Sequence, residues 1–188
     1  MRYSGSCDIW LLEYSRIQSG TFDLTLSRVN LEDVVSFVHR MSSGAAQAKG
    51  VQLRIECSEN DETWVTADRQ GLIQIGLNLV GNALKFTDAG GTVTLKVAQG
   101  DEGYIGFFVS DTGTGIPPEK LQEVLQPFVR LGDASLASET GTGLGLAIVT
   151  ALADAMEMPF SLHSTVGEGT NARLSIPVAS NPAQTSRR

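Results

Sequence analysis

Residues Asn78–Phe86, NLVGNALKF, lie in the most apolar part of the chain yet carry two asparagines and a lysine. The surrounding pattern predicts a helix from about Arg69 to Phe86. Ile73, Leu77, Val80 and Leu84 form one apolar stripe and Leu72, Ile75, Leu79 and Ala83 a second, so most of its circumference should be buried. Gln74, Asn78, Asn82 and Lys85 instead stack along one polar face, at i, i+4, i+8 and i+11. Desolvating unpaired amides and an ammonium would cost several kcal/mol in total by rough estimate. Either this stripe faces water, or an oxygen-rich ligand such as magnesium with phosphates satisfies it.

Working outward, 188 residues with 41% hydrophobic and 19% charged side chains suit one compact domain of ordinary size with short extras. A formal net charge of -7 argues against a general nucleic-acid surface, which needs clustered Lys and Arg, and confines any anionic ligand to a local pocket. Cys7 and Cys57 are too few and too far apart for a disulfide framework or a zinc site. With neither a signal peptide nor an apolar run of about 18 residues, the expected setting is soluble, reducing and cytoplasmic.

The start, CDIWLLEYSRIQSG, has the content of the last turns of a helix ending at Gly20. After an extended piece, Asn30 is a plausible N-cap for a helix with Val34, Val38, Met41, Ala45 and Ala48 on its apolar face, ending at Gly50. Val51, Leu53, Ile55 and Cys57 alternate as in a half-buried strand. Beyond the central helix, two alternating strands joined by QGDEG bring Asp111 to the end of the second, where DTGTGI follows. Gly113 and Gly115 let the backbone turn and approach a flat or anionic ligand, with Asp111 as acceptor, although Asp-x-Gly-x-Gly after a strand is commonly an ordinary turn.

Residues 116 to 140 contain a short helical pattern, PPEKLQEVLQPF, and the small, polar run GDASLASET, too poor in large apolar residues for a rigid core element. A mobile lid is the expectation. GTGLGLAIVTALADAM follows, with Gly141, Gly143 and Gly145 opening a helix whose amides and dipole favour phosphate. It lacks the Gly-Lys-Ser/Thr ending of a Walker loop and does not follow a first strand as a Rossmann fingerprint would. Two late strands, PFSLHS and TNARLSIPV, flank TVGEG, and NPAQTSRR reads as a disordered tail.

In this order the motifs resemble the ATP-binding domain of sensor histidine kinases, within the wider family of gyrase-type and chaperone ATPases. NLVGNALKF resembles the N box, DTGTGI the G1 box, PFVR the F box and GTGLGLAIV the G2 box, so the likeness covers nearly the whole chain. It implies a Bergerat-type two-layer α/β sandwich: a mixed sheet of about five strands, covered on one face by helices around 30–49, 69–86 and 144–157, with a mobile ATP lid. It also implies a division into 1–20, the end of the dimerisation and phosphoacceptor helix; 21–179, the catalytic domain; and 180–188, the tail.

By resemblance, Asn82 would coordinate magnesium, and Asn78 and Lys85 would meet the phosphates of ATP. Asp111 would accept from the exocyclic amine of adenine, which guanine replaces with an oxygen. Phe86 would pack near the purine, Phe128 would anchor the lid and Arg130 would reach the phosphates. Gly141, Gly143 and Gly145, with Leu144 among them, would wrap the phosphates, and Thr170 would touch adenine through its hydroxyl. The implied partners are the phosphoacceptor domain of the same protein and a response-regulator receiver domain, in a full-length homodimer, with no nucleic acid. The implied location is cytoplasmic, including the cytoplasmic part of a larger or membrane-attached sensor.

Two departures stand out. Glu157 and Met158 replace a frequent Gly-Gly turn, so a different backbone conformation is expected there. No histidine followed by an acidic residue occurs in a helical context upstream of Asn78, and His39 and His163 read as ordinary, partly solvated residues. The chain then supplies nucleotide but not acceptor. Two alternatives are a gyrase-like hydrolase, which resembles a protein with a glutamate at the position of Asn78, and a catalytically silent nucleotide-sensing or protein-binding pseudokinase. A carboxamide at that position cannot act as a general base at neutral pH, which disfavours the hydrolase.

Overall fold

The computed structural model describes residues 23–57, 63–100, 103–129 and 143–179. The helix end expected in 1–20, the run GDASLASET, Arg130, Gly141 and the tail lie outside the described residues. After the strand β1 (Leu26–Asn30), the Asn30 side chain accepts from the amide of Glu32 at 2.8 Å and starts the helix α1 (Leu31–Lys49), which Gly50 ends at φ 71°. Its buried face is Leu31, Val34, Val35, Val38, Ser42 and Ala46. The expected face is therefore corrected: Val34 and Val38 belong to it, but Met41 is 59% exposed and Ala45 and Ala48 are also exposed. The helix is rotated so that Val35, Ser42 and Ala46 join Val34 and Val38 against the core.

The strand β2 (Gln52–Cys57) is followed by β3 (Trp64–Asp68), which pairs antiparallel with β1 in a small second sheet. Asp68 then caps α2 (Arg69–Phe86): one carboxylate oxygen accepts from the Gly71 amide at 2.7 Å, the other from the Thr25 amide at 2.8 Å. Both expected apolar stripes of α2 pack into the core, with Ile73 and Leu77 at its margin. Gly76 lets α1 approach, since a Cβ there would lie 2.8 Å from Val38.

The strands β4 (Thr92–Gln99), β5 (Tyr104–Asp111), β6 (Phe160–Thr165) and β7 (Gly169–Pro177) join β2 in a mixed five-stranded sheet of order β2-β4-β5-β7-β6. Only β2 and β4 run parallel, an arrangement that needs a crossover, and β3 and α2 supply it. The helix α3 (Gly145–Ala155) packs beside α2, and all three helices share one core with the sheet. The fold is the expected two-layer α/β sandwich. Strand alternation places Val93, Leu95 and Val97 of β4, Ile105, Phe107 and Val109 of β5, and Ala172, Leu174 and Ile176 of β7 in that core.

Two local expectations fail. PPEKLQEVLQPF forms two short 3-10 turns, Pro118–Lys120 and Glu123–Leu125, instead of a helix, with Val124 buried and the second turn against α3. Glu157 adopts the left-handed conformation itself, at φ 55°, so the turn keeps a glycine-like backbone without glycine. The Met158 amide bonds to the Ala153 carbonyl at 2.8 Å, a helix-ending contact that helps hold it.

Candidate functional site

The core face of the sheet ends in a polar row. Register pairs Leu162 of β6 with Ala172 of β7, and Ala172 with Val109 of β5, an apolar row. One alternation further along are Ser164, paired with Thr170, and Asp111 beside Thr170. The same two-residue period that buries Val109 and Ala172 and packs Leu162 against the core therefore brings a carboxylate and two hydroxyls to one side at the strand ends.

Asp111 is asymmetrically used. Its Oδ1 accepts from the amides of Gly113 at 2.9 Å and Thr170 at 3.2 Å, while Oδ2 has no hydrogen-bond partner among the described residues. Desolvation raises its pKa from the ordinary carboxylate value, and the two amide hydrogen bonds work against that rise. Backbone closes in on both sides: a Cβ on Gly113 would collide with the Phe86 carbonyl, and one on Gly169 with the Asp111 carbonyl. Gly169, at φ 118°, belongs to the site although the sequence reading passed over it. Its signal was the unbroken GEGT beside Thr170.

The loop after Asp111 is sewn to α2 and β6. The Thr114 amide donates to the Phe86 carbonyl at 3.2 Å, and Gly115 turns at φ 69° against the backbone of Thr165. The Lys49 ammonium caps the end of α2 by donating to the carbonyls of Leu84 and Lys85, an i+35 contact that no local pattern announces. Lys85 then places Nζ 5.0 Å from the centroid of the Phe86 ring, which is 43% exposed. Phe86 is thus a surface ring at the site and not a core residue.

The polar stripe on α2 meets the start of α3. A Cβ on Gly145 would lie 3.3 Å from both Asn78 Oδ1 and Asn82 Nδ2, so the glycine brings the helix start onto these two amides. Asn78 also donates from Nδ2 to the Gln74 carbonyl at 3.0 Å, which aims its oxygen. Leu144 precedes the helix with its side chain buried and without a side-chain cap. A helix start without a side-chain cap suits an anionic acceptor at its amides.

Gly143 and Phe128 face each other, at φ 70° and 66°, joined by the Phe128 amide donating to the Gly143 carbonyl at 2.9 Å. The Phe128 side chain is 60% exposed, and among the described residues its hydrogen bond is this backbone one to Gly143. Arg130 and Gly141 fall outside the described residues. Asp111, Gly113, Gly115 and Thr170 are thus gathered at the strand ends, and Asn78, Asn82 and Gly145 at the helix contact. The Phe86 carbonyl connects the two groups.

A helix-covered mixed sheet with a polar row at its strand ends, and a glycine-opened helix against the polar stripe of α2, is a two-layer α/β sandwich of the Bergerat type. Residues 67–180 match the family described as histidine kinase-, DNA gyrase B- and HSP90-like ATPase, and the chain belongs to that family. A sensor-like histidine kinase of Rhizobium meliloti is 38% identical over 169 residues, 89% of this chain and 31% of that protein. Histidine protein kinase DivJ of Caulobacter vibrioides is 38% identical over 172 residues, 92% of this chain and 28% of that protein. The crystal structure of full-length ShkA in complex with AMPPNP superposes with a TM-score of 0.82 at 32% identity, covering 94% of this chain and 36% of that one. The chain therefore spans under a third of the length of these two curated relatives. No helix among the described residues is long and apolar enough to cross a membrane.

Proposed function

We propose that this chain is the ATP-binding catalytic domain of a two-component sensor histidine kinase. The observation that carries this reading is the meeting of Asn78 and Asn82 with the glycine-opened start of α3 at Gly145, together with a carboxylate, Asp111, whose Oδ2 has no partner among the described residues. Asp111 Oδ2 accepts from the exocyclic amine of adenine, and Phe86 covers the purine. The amides at the start of α3, with Asn78 and Lys85, hold the phosphates. Gly141 and Arg130 are proposed to add to that set.

Among the described residues no three His, Cys, Asp or Glu side chains group as a metal site. The amide oxygens of Asn78 and Asn82 suit magnesium, which keeps water and phosphate oxygens and needs few protein ligands. Asn82 would hold it, and it would neutralise charge on the phosphates. The chain's own part in transfer is positioning, with the γ-phosphoryl presented to a histidine of the preceding domain. The parent is proposed to be a cytoplasmic or membrane-attached homodimer that passes the phosphoryl group to a receiver domain. Residues 1–20 are proposed as the end of its phosphoacceptor helix, and 180–188 as a tail.

The test mixes the chain with the phosphoacceptor domain of its full-length protein and γ-labelled ATP. Acid-labile label on that domain, lost with Asp111→Ala, is expected. The chain alone should carry none, since His39 is on α1, within 3.3 Å of the Leu53 carbonyl, and His163 is on the sheet face away from Asp111. ATP binding without transfer to the acceptor would establish a silent pseudokinase instead.

A further inference from the structure

We propose that Ser164 is a positioning residue that sets nucleobase specificity by fixing the hydroxyl hydrogen of Thr170, so that Thr170 faces the purine only as an acceptor. The inference rests on the reading of Asp111 and Thr170 as the residues that meet the base. It is carried by the hydrogen-bond inventory of one atom. Ser164 Oγ has three partners, each at 2.8 Å: the Ile116 amide, the Gly169 carbonyl and Thr170 Oγ1.

A serine hydroxyl has one hydrogen and two lone pairs. The Ile116 amide can only donate to it, and the Gly169 carbonyl can only accept from it. The single Ser164 hydrogen is therefore spent on Gly169. The remaining contact must run from the Thr170 hydroxyl to Ser164, which uses the Thr170 hydrogen as well. What Thr170 Oγ1 keeps for a ligand is lone pairs.

Thr170 stands next to Asp111, since its amide donates to Asp111 Oδ1. Asp111 Oδ2 and Thr170 Oγ1 together present two acceptors and no donor. Placed at position 6 of the purine, both acceptors welcome the amine of adenine and oppose the carbonyl oxygen of hypoxanthine, whose N1–H lies at the neighbouring position, because acceptors facing each other leave desolvated lone pairs unpaired. Ser164 also ties the loop after Gly115, through Ile116, to the same row. Its hydroxyl thus orders the base-facing end of the site without itself being required to touch the ligand.

Removing Ser164 Oγ frees the Thr170 hydrogen to rotate and donate. The resulting signature is a gain of binding to the wrong base, which a merely structural loss does not produce. The experiment titrates the full chain with magnesium-ATP and magnesium-ITP in five forms: parent, Ser164→Ala, Ser164→Thr, Thr170→Val and Asp111→Ala. The parent should prefer ATP. Ser164→Ala should bind ITP about three- to tenfold more tightly than the parent does, with the ATP preference reduced by at least that factor. Ser164→Thr keeps the hydroxyl and should restore the parental ratio. Thr170→Val keeps the amide to Asp111 but removes the acceptor, and should lower the ATP preference as well.

If Ser164→Ala weakens both nucleotides equally or leaves their ratio unchanged, the proposal is overturned. Should Ser164→Ala fail to fold, an unchanged ratio in Thr170→Val overturns it instead. Equal ATP affinity in Asp111→Ala and the parent would sink the underlying reading of the adenine site, a separate outcome from an unchanged ratio in an Asp111-dependent binder.

Discussion

Asp111 carries opposite demands on its two oxygens. Oδ1 is committed to two backbone amides and Oδ2 is left for a ligand, so Asp111→Asn is a sharper probe than deletion. The amide oxygen can keep both scaffold bonds, which places the NH2 where Oδ2 was and turns an acceptor into a donor. ATP affinity should fall about ten- to a hundredfold while the fold persists. The pH dependence has a definite sign. Burial raises the Asp111 pKa, so the folded state holds the proton more tightly than the unfolded chain does. Its contribution to stability is present below the ordinary aspartate pKa and is lost as pH rises through the raised value. Thermal melts from about pH 4 to pH 7 should therefore show Asp111→Asn gaining on the parent as pH rises. A gap that narrows would contradict the assigned desolvation.

At the scale of elements, the decisive contact is between α2 and the start of α3. The stripe Gln74, Asn78, Asn82 and Lys85 was legible as a row because helical spacing is local, but whether it faced water or another element was not. Gly145, far along the chain, decides it by lying against Asn78 and Asn82. Gly145→Ala separates helix stability from function. Alanine in place of glycine favours the helix by up to about 1 kcal/mol. Its Cβ would nevertheless sit 3.3 Å from both asparagine side chains, which would have to give by a few tenths of an ångström. The variant should melt no lower than the parent yet bind magnesium-ATP about three- to thirtyfold more weakly. Unchanged binding would show that the two amides do not need their present positions.

For the whole molecule, stability and binding reside in different layers. Phe107 is fully buried on β5, and a Cβ on Gly76 of α2 would lie 3.5 Å from its ring tip. Phe107→Ala should destabilise the domain by about 3–5 kcal/mol, as emptying a core aromatic site does. Phe86, 43% exposed at the other end of α2, should cost under about 1 kcal/mol when replaced by alanine, yet weaken ATP binding. Denaturant unfolding and nucleotide titration of the two variants check this division. It fails if Phe86→Ala is the less stable of the pair.

The residue order alone determined the three helices, the alternating strands and the polar stripe of α2. Each follows from interactions within a few residues: Asn30 capping Glu32, Gly50 in the left-handed region, and apolar side chains at helical or strand period. The strand Trp64–Asp68 was missed because its five residues are too short a run to display a period, and pairing with β1 is what makes it a strand. The left-handed Glu157, the exposed Phe128 and the orientation of α1 were likewise settled by long-range packing against local preference. So was the row Ser164, Thr170 and Asp111. Strand alternation assigns each of the three a face, but only the pairing of β5, β7 and β6 sets them side by side, because register depends on partners dozens of residues away.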